Sequence, residues 1–363
     1  MKYLILTNHS YMLWQFRREL ISKLLEDSEV VISTPYVGHE KDFENMGCRC
    51  IETQLDRRSI NPGKDMKLFW FYKQLLIREK PDMVITYSIK PNIYGGYACR
   101  KLRIPYCVNV QGLGTAFQKK GISQLVSIMY KAALKRARVV FFENRDNART
   151  FCKRGIVSRE RIILLPGAGV NLDFFSYQPY PSENDGIHFL FLGRIMKEKG
   201  VDELFEAFRK LKRIYGDRIT LDLVGFFEEE YKDTVKKLVK EGIAVFHGFQ
   251  EDPRPYYAAA HCVVLPSYHE GMSNVLLEAA ATGRALITSD IPGCREAVLE
   301  GKSGFICRVE NYEDLQYKME KYISRNYEQR KKMGYAGRER VEKLFDREKV
   351  VSQTVQSLEG NYK

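Results

Sequence analysis

CVVLPSYHEGMSNVLLEAAATG, residues 262–283, reads as a strand, a loop and a helix in immediate succession. The apolar run ends at Pro266, the loop carries Glu270 and Gly271, Ser273 stands where a helix N-cap is needed and Gly283 where a helix ends. The same pattern extends outward in both directions. Before it come IHFLFLG (187–193), a helical period from about Val201 to Tyr215, ITLDLVG (219–225), a helix near 229–241 and IAVFHG (243–248); ALITSD (285–290) follows. The first half repeats the alternation with KYLILTN (2–8), a helix over about 13–25, VVIST (30–34), an amphipathic stretch over 66–79, PDMVITY (81–87), IPYCVNV (104–110), a helix near 122–136, ARVVFFE (137–143) and RIILLPG (161–167). Strand and helix alternating in this way predict an α/β chain with two doubly wound parallel sheets, each binding ligands beyond the carboxyl ends of its strands.

A length of 363 residues exceeds what one hydrophobic core usually serves, and the polar run YQPYPSENDG (177–186) interrupts the alternation. The expected division is a first domain over 1–178, a second over 179–345, and a helical tail over 346–363 packed back on the first. No stretch reaches the ~18 apolar residues of a membrane span and the opening lacks the form of a signal peptide, so a cytoplasmic protein is expected. The eight cysteines are scattered and read as reduced thiols. The net charge of +12 is unevenly placed: residues 1–180 hold 29 Lys and Arg against 16 Asp and Glu, and residues 181–363 hold 29 against 30. An excess confined to one half calls for an anionic partner there, whether lipid headgroups, a diphosphate-bearing acceptor or nucleic acid, or is a basic solvated surface.

Two junctions carry the chemistry. After IHFLFLG, Gly193 and Arg194 precede Lys199 and Gly200 at the start of a helix; a guanidinium and an ammonium there suit a diphosphate, although a basic turn fits the spacing equally. At the second junction the backbone amides of Ser273, Asn274 and Val275 open a helix and form a site for phosphate or sugar hydroxyls. Glu278 lies one turn on, in an apolar setting where an unpaired carboxylate is costly, and ribose hydroxyls would partner it. No Asp-x-Asp occurs and the six histidines do not cluster, so no metal is expected. The first strand is not followed by G-x-G-x-x-G, against a nicotinamide enzyme. His269 is either a proton carrier or a loop histidine.

On these residues the second half resembles the retaining glycosyltransferases of family four: GR…KG at Gly193 to Gly200, and two glutamates, Glu270 and Glu278, seven residues between them. PGAGVNLDFF (166–175) is similar to that family's segment before the linker and PGCREAV (292–298) to its loop after the helix. The resemblance implies the GT-B fold, two facing Rossmann-like domains with an interdomain cleft, and a sugar nucleotide as donor rather than a cofactor. It implies that Arg194 and Lys199 bind the donor diphosphate, that Glu278 holds the ribose, that Glu270 contacts the sugar, that Gly271 to Val275 offer amides, and that a base, uracil, sits near Phe249 to Asp252. YSIKPNIYGGYACRKLRIPYCVNVQGLGTAF (87–117) resembles a subgroup that extends polyprenyl-diphosphate-linked glycans for capsule, O-antigen or protein glycosylation, often from UDP-N-acetylhexosamines. In that frame Lys90, Asn92 and Tyr94, with Gly112 to Thr115, line the acceptor side, with donor-phosphate contacts near Ser10 and a sugar contact at Gln111. Asn8-His9-Ser10 and Gln111-Gly112 depart from the family's glycine-rich loop and histidine at those places.

KKGISQLVSIMYKAALKRAR (119–138) sets Ile122, Leu125, Val126, Ile128, Met129, Ala132 and Ala133 on one face amid lysine and arginine. It is either a peripheral element on an anionic membrane or a helix packed on the sheet. LFWFYKQLL (68–76) poses the same choice and is expected in the core. The rival readings are a sugar-nucleotide epimerase or hydrolase, and a basic nucleic-acid-binding protein, against which the acidic pair and the lack of basic-aromatic interleaving argue.

Overall fold

A computed structural model describes residues 1–54, 61–113, 117 and 120–360. The chain forms two compact units, one of Met1–Ala168 with Glu348–Lys363 and one of Gly169–Arg347.

The first unit runs β1 (Lys2–Leu6), α1 (Ser10–Leu25), β2 (Glu29–Thr34), α2 (Glu40–Asn45), β3 (Arg49–Glu52), α3 (Pro62–Glu79), β4 (Met83–Tyr87), α4 (Gly96–Leu102), β5 (Tyr106–Val110), α5 (Lys120–Leu134), β6 (Val139–Phe142), α6 (Arg145–Lys153) and β7 (Ile162–Leu164). Its sheet is parallel in the order β3-β2-β1-β4-β5-β6-β7. The inner strands are buried on both faces, as runs such as VVIST and MVITY require of a covered parallel sheet. Leu68, Tyr72, Leu76, Val126, Tyr130 and Phe151 fill one face, whereas Leu13, Leu20, Ile21, Phe43, Val350 and Leu358 fill the other. The strand order reverses between β1 and β4, and that switch point is where open α/β sheets receive ligands.

The second unit runs β8 (Ile187–Leu192), α7 (Val201–Tyr215), β9 (Ile219–Val224), α8 (Lys232–Lys240), β10 (Val245–Gly248), α9 (Arg254–Ala259), β11 (Cys262–Leu265), α10 (Asn274–Ala281), β12 (Ala285–Ser289), β13 (Gly304–Cys307), α11 (Tyr312–Ile323) and α12 (Tyr327–Leu344). The sheet is again parallel, β10-β9-β8-β11-β12-β13, with its switch point between β8 and β11.

The first crossing lies ten residues before the expected 178/179. Val170 pairs with Asp346, its amide donates to Phe345 O at 2.8 Å and Phe175 enters the second core, which draws 169–178 into that unit. The final helix, α13 (Arg347–Glu359), lays Val350 and Leu358 into the first unit's core. The polar stretch between VVIST and residue 62 holds α2 and β3, and α9, β13 and α11 add to the elements expected of the second half. In α3 the expectation of core is half corrected: Leu68, Tyr72, Leu75 and Leu76 are buried, yet Trp70 is 49% exposed, because four residues per two turns suffice to cover the sheet.

Candidate functional site

The site in the second unit is built where the loops after β8 and β11 touch. Lys197–Lys199 make one 3-10 turn, and Gly200 ends it at φ +69°. A Cβ at Gly200 would stand 2.0 Å from the Pro266 carbonyl oxygen, so a side chain there would prise the two loops apart. Tyr268 then latches them: its amide donates to Glu198 O at 2.9 Å, and its phenolic oxygen lies 2.8 Å from both carboxylate oxygens of Glu203 in the first turn of α7. With the loops fixed, Lys199 Nζ meets Glu270 Oε1 as a largely buried ion pair, and Ser267 Oγ donates to the same oxygen at 3.0 Å.

Arg194 stands aside from that pair. Its guanidinium is 43% exposed and makes a loose contact, 3.8 Å, with Glu228. It is free to turn toward an incoming anion, since so long and wet an ion pair holds it weakly. Gly193 takes φ +151° and donates to Val224 O at 2.9 Å.

α10 starts beside Glu270. Ser273 occupies the N-cap without a side-chain capping bond, and its amide donates to Gly293 O at 2.8 Å. Gly293, at φ +87°, lies against the Gly271 carbonyl, and a Cβ there would stand 2.3 Å from that oxygen. The amides of Asn274 and Val275 have no acceptor inside the helix, and Asn274 Oδ1 is buried with no hydrogen-bond partner among the described residues. A helix start with open amides, a lysine, an arginine and an orphaned amide oxygen suits a phosphate flanked by hydroxyls.

Glu278 sits deeper than a side chain shared with Glu270 would. It is 4% exposed, and Tyr257 of α9 donates to its Oε2 at 2.8 Å. Among the described residues it makes no hydrogen bond or ion pair with Glu270, Lys199 or Arg194. Burial lifts its carboxyl to about 7, against the opposing pull of the Tyr257 hydroxyl and the Arg347 charge.

Phe249, after β10, is exposed, and its ring lies 6.1 Å from that of Phe226, also exposed, after β9. Asp252 is chelated by Arg254 at 2.8 and 2.7 Å, which holds its carboxyl below the usual range. Arg254 in turn caps the Phe174 ring at 4.1 Å, beside a cavity of about 330 Å³ lined by Asp173, Gln178 and Thr282.

In the first unit the residues expected on the acceptor side divide. At the switch point Ser88, in the left-handed region at φ +73°, donates to Asn8 Oδ1 at 2.8 Å. Lys90 Nζ lies 2.8 Å from Asp65 Oδ1, and burial together with Asp65 raises the Tyr94 phenol. Gln111 and Gly112 are half-buried after β5; Thr115 and Lys119 lie outside the described residues. Two expectations are corrected. Asn92 is buried, accepting from Thr86 and donating to Asn109 O at 2.8 Å, because a π-turn over Pro91–Gly95 rotates it inward. Ser10 is buried too, its hydroxyl donating to Glu40 and accepting from the Val37 amide, so it braces a loop instead of facing a ligand. In α5, Val126, Tyr130, Ala133 and Leu134 pack on the sheet while Leu125 and Ile128 face out.

Tyr257, Tyr268, Glu203 and Phe226 belong to the site but carry no spacing signal. PSYHEG places Tyr268 beside Glu270, yet only the fold reveals Glu203 opposite.

Residues 3–144 match the family model for glycosyl transferase 4-like proteins and residues 175–340 that for glycosyl transferases group 1. The chain is 27% identical, over 85% of each sequence, to the N,N'-diacetylbacillosaminyl-diphospho-undecaprenol alpha-1,3-N-acetylgalactosaminyltransferase of Campylobacter jejuni. It is 26% identical to the capsular polysaccharide biosynthesis glycosyltransferase CapM of Staphylococcus aureus, over 94% of this chain and 92% of CapM. Among solved structures, Anabaena Alr3699/HepE in complex with UDP shares the fold at a TM-score of 0.81 and 17% identity, over 99% of this chain and 100% of that one.

Proposed function

We propose, from the match of residues 175–340 to the glycosyl transferases group 1 model, that of residues 3–144 to the glycosyl transferase 4-like model and the GT-B fold, that the chain moves a sugar from a UDP-sugar onto a polyprenyl-diphosphate-linked glycan, with retention of anomeric configuration. An N-acetylhexosamine or a related hexose is the donor sugar, and the product belongs to capsule, O-antigen or other surface polysaccharide assembly. The observation that carries this reading is the junction of the two loops, where Lys199 and Glu270 pair beside the start of α10.

In this reading the diphosphate lies on the amides of Ser273, Asn274 and Val275, with Lys199 and Arg194 as counter-charges. As the sugar–oxygen bond breaks, negative charge grows on the departing UDP, and the two cations with the helix start stabilise it where it forms. Glu278 binds the ribose, Glu270 the sugar, and Phe226 with Phe249 offer the base an apolar wall. Exclusion of water keeps the activated donor from hydrolysis. In the first unit Lys90, Tyr94, Gln111 and Gly112 receive the acceptor, whose lipid keeps the enzyme on the inner face of an anionic membrane. The relatives' names support this acceptor class: one acts on a diphospho-undecaprenol glycan.

The test is a panel of UDP- and GDP-sugars in thermal shift, followed by transfer to a synthetic polyprenyl-diphosphate sugar in EDTA and assignment of the new anomeric centre by NMR. UDP-selective stabilisation and a retained anomer are expected. Donor consumption without acceptor would favour the epimerase or hydrolase instead.

A further inference from the structure

The outer surface of the first unit carries an aromatic cluster that the transfer chemistry does not use. Phe69 and Trp70 on α3 lie with ring centroids 5.6 Å apart, and Phe69 is 5.6 Å from Tyr97 on α4. Three cations sit on these rings: Lys73 at 4.6 Å from Trp70, and Arg100 and Lys101 at 5.8 and 5.5 Å from Tyr97. Trp70 and, one turn earlier, Met66 are largely exposed, though α3 buries its opposite face completely. α3, α4 and α5 cover the same side of the sheet, since their inward residues share one core.

We infer that this α3–α4 patch is the surface by which the enzyme docks on anionic lipid. The inference rests on the proposed lipid-linked acceptor and names the elements that meet its membrane. Large amphipathic rings with cations at their edges suit the headgroup layer, where the ring body enters the acyl boundary and the ammonium or guanidinium stays with phosphate. The charge is complementary, because the whole excess of the chain, 29 basic against 16 acidic residues, lies in residues 1–180. Exposed Trp70 beside the half-buried Phe69 and Tyr97, edged by the Lys73 and Lys101 ammonium groups, matches a fluid anionic plane. The exposed aliphatics of α5, Leu125 and Ile128, contribute less, for they bring no aromatic ring to the interface.

Co-sedimentation of the full chain with phosphatidylcholine vesicles, with and without 30% phosphatidylglycerol, tests this. The wild type is expected to bind the anionic vesicles, more weakly as salt rises. Trp70→Ser with Tyr97→Ser should lower the partition coefficient at least tenfold. Lys73→Gln with Lys101→Gln, which leaves the rings in place, should lower it by roughly fivefold per lysine. Leu125→Ser with Ile128→Ser should cost less than either pair. UDP-sugar stabilisation in thermal shift should be unchanged in every variant, which also shows that each folds. Equal vesicle binding by wild type and both α3–α4 pairs overturns the proposal, as does loss of a dimer, or of retention on single-stranded DNA, without any vesicle binding. Failure of UDP-sugar binding in the wild type with vesicle binding intact would overturn the functional reading and leave the patch standing.

Discussion

Glu278 holds its proton up to about pH 7 in the folded chain, whereas the same carboxyl in the unfolded chain loses it near 4.5. Between those values the native state binds the extra proton, so this group's contribution to stability falls as pH rises from 4.5 to 7 and is level above. The span corresponds to ~3 kcal/mol. Glu278→Gln removes that slope: the variant should match the wild type at pH 5 and melt several degrees higher at pH 8, while its UDP affinity drops for want of the carboxylate. Parallel melting curves at both pH values would refute the assignment. Arg194 invites the complementary experiment. Exposed and loosely paired, its removal should leave the melting temperature within about 2 °C while turnover falls by about 10²–10³, as for other donors aimed at developing charge. Near-normal turnover in Arg194→Ala would remove the leaving-group role.

The loops that carry Lys199 and Glu270 are held by few groups. The hydroxyl of Tyr268 is the link between the Glu270 loop and the first turn of α7, and a hydrogen bond to a charged group contributes about 1.5–3 kcal/mol. Tyr268→Phe keeps the ring and deletes the bond; kcat should fall about tenfold, with the KM for donor changed less than threefold. If KM rises as far as kcat falls, Tyr268 acts in donor binding rather than in positioning. This pair also marks the limit of what the residues alone disclose. Strand–loop–helix units, the glycines at 193 and 200 and the glutamates at 270 and 278 stand out because each is a local pattern of period, turn chemistry or spacing. Glu203, Tyr257 and Phe226 reach the site from other strands or helices, and nothing local in VDELFEAF or VGFFEEE distinguishes them. Ser10 and Asn92 fail in the opposite direction: their position after a strand suggests a ligand, but neighbouring Glu40 and Asn109 O satisfy them first, since a buried polar group must be paired. Trp70 reads as core for a similar reason, an apolar run longer than the stripe the sheet can cover.

The first unit is assembled from two separated segments, and the second is one continuous piece inserted between them. Gly169–Arg347 alone should therefore express as a folded protein with a single melting transition and UDP-dependent stabilisation. Residues 1–168 alone should aggregate, because Val350, Val351, Val355 and Leu358 of α13 cover apolar surface around Leu20, Leu165 and Ile163. Joining residues 348–363 to the carboxyl end of that fragment by a flexible linker should restore solubility, and a soluble monomeric 1–168 would show that the helix is dispensable. The insertion has a further consequence for biogenesis. Domains tend to fold as they are synthesised, yet here the first unit waits, incompletely closed, while the whole second unit is made. Newborn chains with a complete second unit and an open first one are thus an obligatory stage, and they are the form on which chaperones and proteases would act.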